Sequence, residues 1–444
     1  MQMAFLGDLL TSVADRGRAL INFERFASNR RRPLDKLCED LLSGRGEASG
    51  MALAQAVLED WEQLDEAGRL AFFRLLQERF GPDRERLDAA LERYRDNPDA
   101  AAIGQLHLAS EPRRQELFRR LNLAPGGTHV LVRMRESMFE AMKQEPELSA
   151  VDADFRHLFA SWFNRGFLVL RRIDWTTPAN VLEKIIRYEA VHAIKDWDDL
   201  RRRLEPADRR CFAFFHPQLI DEPLIFVEVA LTRESPSRIV DVLSEDREVL
   251  PASSATTAVF YSISNCQEGL RGISFGNFLI KQVAEDLKRE LPGLDVFVTL
   301  SPVPGFARWL GPTLAEPAEL GLTNEEAALL MQAPAEVAAQ DEVTRARRDK
   351  LLGQMMAQYM LRARTSSGRV IDPVARFHLG NGARLERINV GGNLSDRGLR
   401  ESHGVMVNYR YELDDIETNH EAFATRNTVV ASSSVKKQLR PATK

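Results

Sequence analysis

Cysteine is scarce in this sequence: Cys38, Cys211 and Cys266 are the only three in 444 residues. They are far apart and odd in number, which excludes a disulfide framework and a CxxC zinc or redox pair and points to a reducing compartment. Metal-ligand spacing is missing too. The eight histidines form no HxH or HxxxH pair and HExxH is absent, so no metal site is expected. No excess of one charge exists: 60 Lys+Arg stand against 65 Asp+Glu, a net of -5, which removes any global attraction to nucleic acid or an anionic membrane. An anionic ligand must therefore be held by a local site. No apolar run reaches the roughly 18 residues of a membrane span. The apolar stretch Met1 to Leu10 is interrupted by Asp8 and followed by no small-residue cleavage site, so it reads as a helix start and not as a leader. Arg440 to Lys444 carries no SKL-type address. A cytoplasmic protein is the expectation, with neither nucleic acid nor membrane as partner. Its 26 Gly and 20 Pro, about a tenth of the chain, exclude collagen-like and low-complexity classes.

What is present is a change of pattern near residue 165. Up to about residue 160 the spacing is helical, as in Trp61, Leu64, Leu70, Phe73, Leu75, Leu76 and Phe80 before Gly81-Pro82. Breaks at Arg32-Pro33, Asn97-Pro98, Glu111-Pro112 and Pro125-Gly126-Gly127 divide this part into several helices, with Asp99 and Ser110 as expected caps. Beyond it, strand signals run over Gly166 to Ile173, Cys211 to Phe215 and Leu224 to Leu231, with a helix expected over Pro178 to Ile194. The reading is α+β: an all-α bundle over 1–165, taken as an oligomerisation domain, and an α/β domain with a helical insertion over 166–444.

The most informative stretch is Thr256 to Phe306. A strand (Thr257 to Ser264), a glycine loop (Gln267 to Gly272), an amphipathic helix (Phe275 to Leu291) and a second strand (Asp295 to Leu300) follow one another. A glycine loop at a helix N-terminus gathers free N–H groups and the positive end of the helix dipole, which suits a pyrophosphate. A plain connection is the competing reading. It is neither a P-loop nor a GxGxxG fingerprint. Gly272-Ile273-Ser274-Phe275-Gly276 matches the G-x-S-x-G nucleophile elbow, but an elbow serine directly follows a strand and Ser274 does not. Ser301 and His378 form a better pair. Ser301 opens Ser301-Pro302-Val303-Pro304-Gly305-Phe306 at a strand end, where two prolines fix the turn and Gly305 lets a ligand approach the backbone. His378 lies before the glycine turn of Phe377 to Ala383, although a histidine beside Phe377 also reads as a packed residue. Helix is expected again from Phe306 to about Arg364, and strands over Arg384 to Val390 and Gly404 to Tyr411.

These segments resemble the malonyl-CoA decarboxylase family. The resemblance rests on Trp162 to Leu168, Glu189-Ala190-Val191-His192, Arg209-Arg210-Cys211, Gly269-Leu270-Arg271-Gly272, SPVPGF from Ser301, FHLGNGA from Phe377 and Val407-Asn408-Tyr409-Arg410-Tyr411, in order. The helical part resembles the family by architecture more than by motif. The resemblance implies an acetyltransferase-like (GNAT-type) second domain whose glycine loop holds the coenzyme A pyrophosphate. It implies cleavage of malonyl-CoA to acetyl-CoA and CO2 without a metal or other cofactor. Ser301 and His378 take the family's catalytic positions, with Tyr411 beside them. Gln267, Gly269, Arg271, Gly272, Ile273, Ser274, Phe275, Gly276, Asn277 and Gly305 take substrate-binding positions. Some members carry an acid where this chain has Ser274, so no supporting carboxylate is carried over. A homo-oligomer is expected, a tetramer being one candidate state.

Loss of CO2 leaves an enolate, so donors are needed where charge grows on the thioester oxygen, with N–H groups near the glycine loop as candidates. Histidine suits the return of a proton near neutral pH, which makes His378 the expected donor. Ser301 is read as a hydrogen-bonding group that relays a proton and Tyr411 as orienting the pair. The rival class, a coenzyme A-dependent acyltransferase, would use the same loop but require an acceptor.

Overall fold

The computed structural model describes residues 32–43, 46–275, 279–333, 336–337 and 339–440. The helix start read at Met1 to Leu10 and the site residues Gly276 and Asn277 lie outside the described residues. By their packing the described residues form two units. One contains those up to Phe167 together with Pro217–Ile220 and Gln267–Ser274, and the other contains Leu168–His216, Asp221–Cys266 and the described residues from Phe275 onward.

The first unit is helical: α1 (Leu34–Leu42), α2 (Glu47–Glu62), α3 (Glu66–Arg79), α4 (Arg84–Asp96), α5 (Ala100–Ser110), α6 (Arg113–Asn122), α7 (Gly127–Gln144) and α8 (Ser149–Trp162). Aspartates set several starts by accepting a first-turn N–H: Asp65 from Gly68, Asp83 from Arg86 and Asp99 from Ala102. Ser110 does not cap the next helix as expected. It ends α5, its hydroxyl donating to His107 O at 2.8 Å, and α6 starts after Pro112 with no side-chain cap, because the residue before a proline is driven out of the helical region. The core is aromatic, with Phe118 stacked on Phe155 at 4.1 Å and Trp61, Phe73, Phe80 and Phe159 buried. Inside it Arg114 is held by Asp154 at 2.5 Å, and Gln115 Nε2 donates to the other Asp154 oxygen at 2.6 Å. Removing one partner would strand a buried charge, so this pair fixes the register of α6 against α8.

The second unit runs β1 (Val169–Ile173), α9 (Ala179–Tyr188), α10 (Trp197–Leu204), β2 (Arg209–Phe215), β3 (Pro223–Thr232), β4 (Thr257–Asn265), α11 (Leu279–Glu290), β5 (Val296–Thr299), β6 (Ser301–Pro302), α12 (Phe306–Thr313), α13 (Asn324–Met331), α14 (Glu342–Leu361), α15 (Pro373–Gly380), β7 (Arg384–Asn389), α16 (Asp396–Ser402), β8 (Met406–Arg410) and α17 (Ile416–Arg426). The sheet order is β1-β2-β3-β4-β5-β8-β6, with β7 also on β8. β1 to β4 are antiparallel, β4 and β5 are parallel across α11, and β8 is antiparallel to β5, β6 and β7. β2 is buried at every residue, which is why Cys211 to Phe215 reads as an apolar run without alternation, while the buried Arg209 and Arg210 at its start donate to Val242 O and to Glu290. Val181, Leu182 and Ile185 of α9 and Leu200 and Leu204 of α10 pack on Cys211, Ala213, Phe215 and Phe226.

Several expected elements are shorter than the sequence suggests: the strand read over Gly404 to Tyr411 is Met406–Arg410, and the helix read from Phe306 to about Arg364 is broken into α12, α13 and α14. The strand read from Gly166 starts at Val169, after a 3-10 turn over Arg165–Phe167. The helix read to Ile194 stops at Tyr188, because the Glu189 carboxylate takes the N–H groups of Val191 (2.8 Å) and His192 (2.7 Å) and so closes a turn in place of another helical one.

Candidate active site

Parallel pairing of β4 and β5 ends at Phe260 opposite Thr299. Leu300 N–H then donates to Phe260 O at 3.0 Å and the chain enters β6, where Ser301 pairs with Val407 of β8. Ser301 is therefore pinned on both sides of a strand end, at 5% exposure. Its hydroxyl donates to Thr299 Oγ1 at 2.8 Å, and Thr299 Oγ1 also accepts Tyr409 N–H at 3.1 Å.

His378 reaches the same place from α15, a helix that the sequence reading missed. The start signal is present in the sequence as Asp372-Pro373, a capping acid followed by proline at the first helical position. Asp372 Oδ1 accepts Ala375 N–H at 2.9 Å, and the same carboxylate accepts Gly305 N–H. His378 Nε2 lies 3.1 Å from Ser301 Oγ and Nδ1 lies 2.8 Å from the Tyr411 hydroxyl. Its ring stacks on Tyr409 at 4.5 Å between centroids. Ser301, His378 and Tyr411 thus come together in one line: Tyr411 OH, His378, Ser301, Thr299. Gly305 stands apart from that line. A β-carbon there would lie 2.5 Å from the Tyr359 hydroxyl, so the closest approach to this backbone is made by the protein itself.

The electrostatics define what this line does. Burial pushes the His378 imidazole down to about 3, so it is neutral at physiological pH. Burial likewise holds the Tyr411 phenol well above its usual range. With Ser301 donating to Thr299, its lone pairs face His378, which assigns the imidazole proton to Nε2 and leaves Nδ1 to accept the Tyr411 O–H. A hydrolase triad puts a carboxylate on Nδ1 to stabilise an imidazolium, whereas here the partner is a phenol. The arrangement suits delivery of a proton from a neutral imidazole better than activation of a serine nucleophile. Thr299, Tyr409 and Asp372 were not singled out from sequence.

The glycine loop belongs to the helical unit. Glu268–Leu270 forms a 3-10 turn, followed by a type II turn over Leu270 to Ile273: Ile273 N–H donates to Leu270 O at 3.0 Å, Arg271 has φ -55° and ψ 129°, and Gly272 has φ 78°. Glycine is required at that third position because φ is positive. Gly269 is pressed against α7, where a β-carbon would lie 2.0 Å from Val132 O. Arg271 pairs with Glu268 at 2.6 Å and Gln267 precedes the turn, while Ile273 is buried and Ser274 exposed. Phe275, the next residue, is buried in the sheet unit. Ser274 lies past the turn in irregular chain, which is not the strand-end position of a nucleophile elbow. A cavity of about 340 Å³ beside the loop is lined by Arg69, Arg133, Lys143 and Arg271 together with Glu136, Glu140 and Glu268, a surplus of one positive charge.

Comparison with known proteins gives a consistent result. Residues 166–444 match the malonyl-CoA decarboxylase C-terminal domain and residues 80–163 match the malonyl-CoA decarboxylase N-terminal domain. Mitochondrial malonyl-CoA decarboxylase of Anser anser anser is 37% identical over 348 residues, covering 73% of this chain and 69% of that protein. Its counterpart in Rattus norvegicus is 32% identical over 436 residues, covering 91% and 85%. The crystal structure of malonyl-CoA decarboxylase from Rhodopseudomonas palustris superposes with a TM-score of 0.86 at 57% identity, covering 91% of this chain and 98% of that one.

Proposed function

The chain belongs to the malonyl-CoA decarboxylase family and is a carboxy-lyase, and from that premise we propose how it converts malonyl-CoA to acetyl-CoA and CO2. The glycine loop, through Gln267 to Phe275, holds the coenzyme A pyrophosphate. The Ser301 hydroxyl turns from Thr299 to the malonyl carboxylate and holds it. As the carbon–carbon bond breaks, its electrons pass into the thioester enolate, and one proton must then reach carbon. His378 Nε2–H supplies that proton through Ser301 Oγ while Tyr411 O–H moves toward Nδ1, and a proton from water then restores the neutral imidazole, so the reaction consumes one solvent proton. A neutral imidazole is acid enough for this step because a thioester enolate is a stronger base than the imidazole anion. No separate cofactor takes part. The protein acts in the cytoplasm as a homo-oligomer assembled through its helical part.

The observation that carries this reading is the unbroken line Tyr411, His378, Ser301, Thr299, with contacts of 2.8, 3.1 and 2.8 Å. The test is to mix purified protein with malonyl-CoA alone, with and without EDTA, and to follow acetyl-CoA and CO2. Release of both in each case is expected. Turnover only with an added amine would mean an acyltransferase, and activity lost to EDTA and restored by one metal would overturn the cofactor-free reading.

A further inference from the structure

One stripe of α7 acts on the glycine loop. Val132, Arg135 and Phe139 stand three and four residues apart, which places them on a single helix face. Val132 offers its carbonyl to the hydrogen-only side of Gly269. Arg135 is 2% exposed, and its Nη1 donates to Gly269 O at 2.8 Å and to Arg271 O at 3.0 Å, while its Nε donates to Asp152 at 2.7 Å. Phe139 carries the Arg271 guanidinium over its ring at 4.2 Å.

The bond to Arg271 O matters most. Arg271 C=O and Gly272 N–H belong to the central peptide of the type II turn, and in a planar trans peptide they point in opposite directions. A type I turn differs from type II by a flip of this one peptide. Fixing the carbonyl on Arg135 therefore fixes Gly272 N–H facing away from α7, toward the open side of the loop. A buried guanidinium with a charged partner makes a strong hydrogen bond, so it can hold the peptide against the flip.

We propose that Arg135 is a positioning residue for coenzyme binding: the N–H groups of Leu270, Arg271 and Ile273 are spent on carbonyls within the loop, and with Val132 and Phe139 Arg135 makes α7 a template that presents the N–H of Gly272 to the pyrophosphate. The helical part then has a role in coenzyme binding besides assembly. This rests on the reading of the loop as the pyrophosphate site.

The test uses the full-length enzyme and three variants, with coenzyme A affinity measured by calorimetry and kcat and KM measured for malonyl-CoA. Arg135→Met removes the donor but strands Asp152, so Arg135→Met/Asp152→Asn, which removes both charges, guards against failure to fold. Gly272→Val tests the loop itself. In folded Arg135→Met/Asp152→Asn, Kd and KM are expected to rise about tenfold or more, equivalent to about 1.4 kcal/mol, with kcat within about threefold. Pure destabilisation would lower the melting temperature without this split between KM and kcat. Unchanged affinity in the double variant, with Gly272→Val impaired, would overturn the role of Arg135 and leave the loop reading standing. Unchanged affinity in Gly272→Val would remove the loop reading and this inference together.

Discussion

At the scale of single residues, the proposed reaction turns on the protonation state of His378. A histidine at its ordinary value would titrate near 6.5 and put a break in the kcat profile there. Burial places His378 at about 3, so kcat is expected to be flat from about pH 5 to 8, and a break near 6.5 in a stopped CO2-release assay would count against a neutral imidazole donor. Ser301→Ala and His378→Asn should each lower kcat by roughly 10²–10⁴, the usual cost of losing a positioned proton-transfer group, with coenzyme A affinity nearly unchanged. Ser274→Ala should be milder and act on KM, since Ser274 follows the loop proposed to hold the coenzyme. A folded Ser301→Ala enzyme with near wild-type turnover, or a Ser274→Ala enzyme that alone is dead, would move the chemistry to the other serine. Tyr411→Phe should lower kcat without raising KM, because it removes only the proton directed at Nδ1.

At the scale of elements, Asp372 joins the two segments that carry the pair. Its carboxylate caps α15, which bears His378, and also accepts the N–H of Gly305 in the turn after Ser301. Asp372→Ala should cost at least the ~0.5–2 kcal/mol of a lost N-cap and also lower kcat. Asp341→Ala is the control: Asp341 caps α14 through Thr344 N–H at 2.9 Å on the exposed surface, so stability alone should fall. Equal kcat in the two variants would reduce Asp372 to an ordinary cap. This element also shows how far the sequence is legible. Strands β2, β3, β4 and β5 are legible because their β-branched and aromatic runs have one reading even where, as in the four residues of β5, they are short, and Ser301 is legible because two prolines restrict the turn after it. α15 is only eight residues long, and its apolar positions give too few periods to outweigh the glycine turn that follows, although Asp372-Pro373 marks its start. Thr299, Tyr409 and Arg135 are illegible for another reason. Their roles depend on strand register and on which helix face meets a loop distant in sequence, neither of which local spacing encodes.

At the scale of the whole molecule, buried titratable groups set how stability responds to pH. Burial, reinforced by Arg203 and Arg397, lowers the His192 imidazole to about 3, as burial does His378. Burial and the neighbouring Glu189 carboxylate raise Glu228 to about 8, against the pull of Arg203 at 3.2 Å. Arg203 is only partly available to Glu228, since it also serves Asp199 and the carbonyl groups of His192 and Ala193. For the two histidines the unfolded chain binds more protons between pH 3 and 6.5, so their contribution is fully present above 6.5 and is lost as pH falls toward 3. Glu228 has the opposite sign. The native state holds its extra proton between about 4.5 and 8, so that contribution is present below 4.5 and lost as pH rises to 8. Between 4.5 and 6.5 the protons of His192 and His378, joined by that of His403, whose imidazole burial and Arg348 also lower, oppose one glutamate proton and stability rises with pH. From 6.5 to 8 only the glutamate acts and stability falls, by up to about 1.4 kcal/mol per pH unit. A maximum near pH 6.5 is expected. All these groups lie in the sheet unit, so the measurement is hydrogen-exchange protection of β2 and β3 from pH 5 to 8, corrected for intrinsic exchange rates. Glu228→Gln should abolish the alkaline fall and keep the acid one, whereas an alkaline fall that persists in Glu228→Gln would assign it to another group.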